Sequence, residues 1–277
     1  MVRQTRKKAT VVPHTPVSDK SKVALEFWRR RFPVPCRRID GTDYLDGSYR
    51  LRYEVYCHEV GFLDARDYPD GRERDAYDAD AIHFGAIRDD DQVVGTVRLV
   101  PWSGRGFPML DHCPVDIPEA QKPHAVEVSR LAVSRMFRRR EGDGLYGMAQ
   151  DRAKLDEIPR QKGDPRRKPR PEVVVGLYKA MYHESKRLGI THWYAAMEPL
   201  LARLLARFNF VFRPIGPEVD YYGPVQPYMA AIDEIEKHVF RSSPIMFWAF
   251  CDGLESEFLP RWARDFLADN ERPTLHS

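Results

Sequence analysis

The sequence predicts an α/β domain on three observations. Apolar residues switch along the chain between a two-residue alternation and a helical spacing. With 43% hydrophobic and 12% aromatic residues in 277 positions, there is enough apolar surface for a sizeable core, which excludes a disordered or collagen-like chain. The longest unbroken apolar run, Ile245 to Cys251, is seven residues, far short of the roughly 20 that span a bilayer. The four cysteines (Cys36, Cys57, Cys113 and Cys251) form no C-x-x-C pair and no zinc spacing, and no apolar stretch follows the basic N-terminus. The expectation is a reduced, cytoplasmic protein with no metal and no transmembrane segment.

Residues 1–20 mix Lys, Arg, Thr, Pro and Ser without an apolar period and read as a mobile basic arm. Val23 to Phe32 has the apolar contacts of a short helix. Ser48 to His58 puts Leu51, Val55 and His58 on one helical stripe, with Arg52 and Tyr56 four apart beside it. Gly61 to Asp80 is crowded with Asp, Gly and Pro and reads as loop. Ala81–Arg88 and Gln92–Pro101 read as strands joined by a turn at Asp89-Asp90-Asp91, and Ala125–Ser134 as a third. Pro171 suits the first turn of a helix carrying Val173, Leu177, Met181 and Leu188, closed by Gly189. Ile190–Met197 is a strand, Pro199 opens a helix to Phe208, and Val211–Ile215 and Tyr228–Ile232 are closing strands. The main domain therefore covers 21–232, with a polar insertion at 138–170 and a helical, aromatic-rich extension over 233–277.

A net charge of +3 conceals strong blocks. Residues 1–38 hold eleven basic and two acidic side chains, 40–91 hold six and fifteen, and 135–170 hold twelve and six. Such blocks are ordinarily solvated surface, or else a footprint for an acidic partner. Few aromatics interleave the basic blocks, so no nucleic-acid partner is expected. His83, His112, His124 and His183 have no metal spacing and read as ordinary histidines.

Three short motifs carry the chemistry: Arg52-x-x-x-Tyr56 followed by Gly61-Phe62; Glu73-x-Asp75-x-x-Asp78 followed by the strand containing Arg98; and Glu127-Val128-Ser129-Arg130. In order and spacing the set resembles the acyl-homoserine-lactone (autoinducer) synthases of the GNAT acyltransferase superfamily. There the pattern runs R-x-x-x-F, W, E-x-D-x-x-D, G-x-x-R-L-x-P and E-x-S-R. Tyr56 stands here for the Phe and Phe62 for the Trp. The arm, the insertion and the tail give a build more similar to the N-acyl amino acid synthases, above all the acyltransferases associated with the PEP-CTERM/exosortase system. The resemblance implies a GNAT-like mixed, twisted sheet flanked by helices, with an added C-terminal helical segment. It implies acyl transfer from a thioester donor to a small-molecule amine, with Arg52, Tyr56, Phe62, Glu73, Asp75, Asp78 and Arg98 on the acceptor side and Glu127 and Arg130 in the catalytic centre. Phe62 in place of Trp argues against adenosylmethionine as that amine.

Residue chemistry supports the same expectation. An amine attacks a thioester only when deprotonated, and a strand carboxylate such as Glu127 serves as the base. In a regular strand Arg130 projects away from Glu127. Either it anchors the Asp75/Asp78 loop from behind, or the strand is irregular at Ser129. The favoured role is an ion-pair network of Arg52, Arg98 and Arg130 with Glu73, Asp75 and Asp78. Arg139 to Gly144 fits the R-x-x-G-x-G loop that cradles the pyrophosphate of coenzyme A in GNAT enzymes, while a mobile basic loop fits equally. Arg138, Arg139 and Arg140, with Arg166, Arg167 and Lys168, would steer an acidic carrier, so acyl carrier protein is the favoured donor partner over coenzyme A bound at Gly142 and Gly144. The alternatives are a non-catalytic basic module on the same scaffold and an ordinary acetyl-coenzyme A-dependent N-acetyltransferase.

Overall fold

A computed structural model describes residues 34–135, 172–221 and 223–265. The expected arm, the helix over 23–32 and the insertion at 138–170 lie outside the described residues. So do all eight residues expected to bind the donor: Arg138, Arg139, Arg140, Gly142, Gly144, Arg166, Arg167 and Lys168.

One mixed sheet organises the chain, and it is of the GNAT type. Its strands are β1 (Cys36–Arg38), β2 (Ile82–Ile87), β3 (Val93–Pro101), β4 (Ala125–Val133), β5 (His192–Met197), β6 (Arg213–Pro214), β7 (Val219–Asp220) and β8 (Pro224–Ala231). They lie in the order β1-β2-β3-β4-β5-β8-β6, with β7 paired to β8. Every neighbouring pair is antiparallel except β4 and β5, which are parallel. The β2–β3 turn forms at the Asp tract, where Asp91 takes a positive φ of 63°, a conformation Asp tolerates better than most residues.

Helices α1 (Tyr44–Tyr53), α2 (Glu172–Arg187), α3 (Pro199–Arg207), α4 (Ile232–Ser242) and α5 (Pro244–Cys251) flank the sheet. Helix α2 ends as its composition requires. Gly189 takes φ 68°, and the Ile190 N–H returns to the Ser185 carbonyl at 2.9 Å. Inward residues of β4 and β5 (Val126, Val128, Trp193, Ala195) meet Leu177 and Met181 of α2 in the main core. The opposite sheet face packs Ala125 and Tyr194 against Phe107 and Met109 of the β3–β4 connection. The aromatic tail belongs to the main core: Phe247 lies 5.0 Å from Trp262, and Phe250 lies 5.0 Å from Phe210.

The strand expected over 211–215 reduces to Arg213–Pro214, since Pro214 has no N–H to extend a ladder. Conversely β8 begins four residues before the expected Tyr228, because Pro224 and Pro227 disguise a strand that pairs with β7 at its start and with all of β5 from Gln226 on. The three-residue β1 and two-residue β7 are too short to show any alternation.

Gly95 on β3 sits under α2. A Cβ there would lie 2.6 Å from Val173 Cγ1 and 3.3 Å from both Ala86 Cβ and Leu177 Cδ1. Gly95→Ala is expected to cost about 1–3 kcal/mol by overpacking, read as a lower urea midpoint with unchanged m-value.

Candidate active site

The acidic loop and the arginines meet as a buried network. Arg52 is placed by α1, and its guanidinium donates to Asp78 through both terminal nitrogens (2.7 and 2.9 Å) and through Nε to Glu73. Arg98, on β3, donates to Asp75 (2.7 and 2.8 Å), to Asp78 (2.7 Å) and to the Ser129 hydroxyl (3.0 Å). Arg130 donates to Glu73 at 3.0 Å and Asp75 at 2.9 Å. Three cations and three carboxylates thus neutralise one another, with Arg52, Glu73 and Arg98 almost fully buried. Although burial alone raises the pKa of Asp78, the guanidinium groups of Arg52 and Arg98 outweigh it and hold the carboxyl well below its usual range.

Arg130 reaches this network because β4 is bulged. The β3–β4 register steps from Thr96↔Ala132 to Arg98↔Ser129, so one extra residue is accommodated on β4. Arg130 itself takes φ 54°. A left-handed arginine is a strained choice that persists only when its surroundings fix it, and the two ion pairs do so. The irregularity expected at Ser129 falls one residue later, and it coexists with the ion-pair role. Tyr56, in the π-helical turn Glu54–Glu59 that continues α1, donates its hydroxyl to the Leu131 carbonyl at 3.1 Å and pins the bulge from the other side.

Next to the bulge the sheet opens. The parallel register of β4 and β5 runs only from Ala125↔His192 to Glu127↔Tyr194. Beyond that pair the strands diverge around a cleft of about 130 Å³, lined on one side by Glu127–Leu131 and on the other by Ala195–Glu198. Tyr56, Phe62 and Tyr221 also stand on its wall, and Tyr221 is stacked on His112 at 3.7 Å. Diverging strands leave backbone hydrogen-bonding groups on the cleft edge without a ladder partner.

Glu127 stands at the apex. It is buried, and Oε2 accepts the Met109 N–H at 2.8 Å. Burial raises its pKa from the ordinary 4.5 to about 7, against smaller lowering effects from the Met109 hydrogen bond and from Arg98 and Arg130. Arg98 and Arg130 are committed to the acidic loop, which is why they do not hold Glu127 ionised. The result is a buried carboxyl on the cleft wall, one oxygen held by a backbone N–H and its pKa near neutrality.

Residues 51–146 match the acetyltransferase (GNAT) domain family. Among solved structures, TofI in a ternary complex with an inhibitor and MTA aligns at a TM-score of 0.52 and 15% identity, over 81% of this chain and 100% of its own. BjaI, described as a CoA-dependent acyl-homoserine lactone synthase and solved with SAM and isopentyl-CoA, aligns at 0.48 and 21%, over 74% of this chain and 89% of its own. FeeM, an N-acyl amino acid synthase from uncultured soil microbes, aligns at 0.46 and 13%, over 75% and 95%. The first of these alignments extends the shared fold well beyond the matched domain.

All nine residues expected at the acceptor side and catalytic centre gather here. Glu127, Arg130, Tyr56 and Phe62 face the cleft, while Arg52, Glu73, Asp75, Asp78 and Arg98 lie behind it. Sequence reasoning missed Tyr221, the Met109 N–H and Glu198, which come from segments with no motif. His83, read from the sequence as an ordinary histidine, is a buried ring whose Nε2 lies 3.1 Å from the Asp78 carbonyl oxygen and whose pKa burial lowers. Among the described residues, no group of three or more His, Cys, Asp or Glu is arranged to hold a metal, and no helix is long and apolar enough to cross a membrane.

The raised pKa of Glu127 has a stability consequence. Because folding favours its neutral form, the parent loses stability as pH rises from about 4.5 to about 7, by roughly 3 kcal/mol. Glu127→Gln escapes that loss. Urea titrations are expected to show the stability of the variant relative to the parent rising between pH 4.5 and 8; a difference that stays flat would contradict a buried, neutral-leaning carboxyl.

Proposed function

We propose that the chain is an N-acyltransferase that moves a fatty acyl group from a thioester carrier to the amine of an amino acid or amino-acid-like acceptor. The observation that carries this reading is Glu127, buried at the apex of the opened strands with a pKa of about 7. An acceptor ammonium entering the cleft gives a proton to the Glu127 carboxylate, directly or through water, and the freed nitrogen attacks the thioester carbonyl carbon. The electron pair of the C=O bond moves to oxygen, and backbone N–H groups on the β4 edge are the donors that face the resulting oxyanion. Collapse re-forms the carbonyl, breaks the C–S bond, and releases a thiolate that takes up the proton held by Glu127, while the second proton leaves the nitrogen to the freed carboxylate or to water and the neutral amide results. Arg130 keeps the bulge, and so the apex, in this geometry.

The resemblance of the three motifs to autoinducer and N-acyl amino acid synthases, the PEP-CTERM-associated ones included, supports a long acyl chain over an acetyl group. Glu127→Gln is expected to remain folded and to lose about 10²–10⁴-fold in kcat, measured as thiol release with an acyl thioester and an amino-acid pool. In the parent, kcat is expected to fall tenfold per pH unit below about pH 7. A folded variant with turnover within a few-fold of the parent would remove Glu127 from the mechanism.

Acyl carrier protein is the proposed donor partner, on the strength of the basic blocks at 138–140 and 166–170. Rim charges act chiefly on association and are screened by salt. Reversing Arg166, Arg167 and Lys168 to Glu is expected to raise KM for the carrier-bound donor several-fold at low salt, with the KM of the amine unchanged. Gly144→Val, damaging where the charge reversal is silent, would instead indicate a coenzyme A cradle.

A further inference from the structure

The cleft holds a second carboxylate that the proposed chemistry does not use. Glu198 follows β5 and lines the open end of the same cleft. It occupies the N-cap position of α3, where a carboxylate ordinarily accepts a hydrogen bond from the first turn, yet its side chain makes no capping bond. No described residue forms an ion pair with it. Burial raises its pKa with no cation to offset the effect, although a helix N-terminus favours the ionised form. Alternation along β5 puts Glu198 on the sheet face of Tyr194, the partner of Glu127, four residues further on and roughly 13 Å away at the rise of an extended strand. The only cation on the described cleft wall, Arg130, already serves Glu73 and Asp75. One face of the cleft therefore carries two carboxylates, one at the apex and one at the mouth, with no uncommitted positive charge between them among the described residues.

We infer that Glu198 binds a second cationic group of the acceptor, so that the preferred acceptor is a basic amino acid or similar molecule whose reacting amine sits at Glu127 while its other ammonium docks at the cleft mouth. This rests on the acyltransferase reading, and it assigns Glu198 to substrate selection rather than to proton transfer. Two glutamate side chains leaning inward, each with a hydrogen bond to its ammonium, reduce the span of the strand positions to that of a lysine-like molecule. A neutral acceptor of the same length leaves Glu198 solvated and gains nothing from it.

Lysine and norleucine, which differ by the terminal ammonium, provide the test. With an acyl thioester donor and thiol release as readout, KM for lysine is expected to be about tenfold lower than for norleucine, the worth of one charge-assisted hydrogen bond in a partly buried site. Glu198→Gln is expected to bring the two KM values together, and Glu198→Asp, which keeps the charge on a shorter arm, to restore part of the difference. Equal KM values in the parent, or a preference that survives Glu198→Gln, would overturn the inference. Calorimetric titration of both amino acids into the full-length parent and into the folded variants decides the same point without turnover, lysine binding more tightly only where residue 198 is acidic. If the parent binds lysine selectively but releases no thiol with any acceptor, the acyltransferase reading fails and the cation site stands.

Discussion

Six charges buried in a neutral knot govern the rest of the site. Arg52, Arg98 and Arg130 come from a helix and two strands, and Glu73, Asp75 and Asp78 come from one loop without regular structure. Placing ions in a low-dielectric interior is expensive unless each finds partners of good geometry. Here the bidentate contacts and the Asp75 N–H to Asp78 bond at 2.7 Å supply them. The loop therefore has one place to lie. Satisfying Arg130 in turn demands the left-handed backbone that bulges β4. Beside that bulge β4 and β5 part, and Glu127 is left at the fork. The same pairing keeps the positive charge of Arg98 and Arg130 engaged elsewhere, so that Glu127, two to three residues along the strands, keeps a raised pKa.

Much of this was legible in the residues. The hairpin of β2 and β3, strand β4, helix α2 with its Gly189 stop, and strand β5 all follow from apolar spacing and turn chemistry. The three motifs put the site on the right segments, because a charge that must be buried and paired leaves a trace in residue type and order. The strand bearing Pro224 and Pro227 was hidden, since a proline argues locally against a ladder that tertiary pairing with β5 nonetheless builds. The bulge was legible only as a dilemma about Arg130: alternation forbade what its charge required, and the structure resolves the conflict at the arginine itself.

Other features leave no sequence signature. Met109 acts through its backbone N–H, which every residue but proline carries, so nothing in its side chain announces the contact to Glu127. Tyr221 reaches the cleft from the turn between the two-residue β7 and β8 and is located only by the fold. Glu198 looks in sequence like one more surface acid before a helix. Its importance in the proposal comes from what it lacks among the described residues, a capping bond and a counter-ion, and a one-dimensional reading has no access to either.

The packing of the C-terminal helices also sets where the chain can be shortened. Ile235 and Val239 of α4 and Met246, Phe247 and Phe250 of α5 share one apolar cluster with Trp193 and Met181. Lys186 and the Tyr182 hydroxyl on α2 both bond Glu236 of α4, at 2.7 and 2.9 Å. Helix α2 thus has the sheet on one side and the tail on another. A chain ending after β8 would strip solvent protection from Tyr182 and remove the Glu236 carboxylate that pairs Lys186, even though every residue of the cleft would still be encoded. The smallest unit able to hold the cleft is therefore set by the outer side of α2, and it extends well past the segment that carries the recognisable motifs.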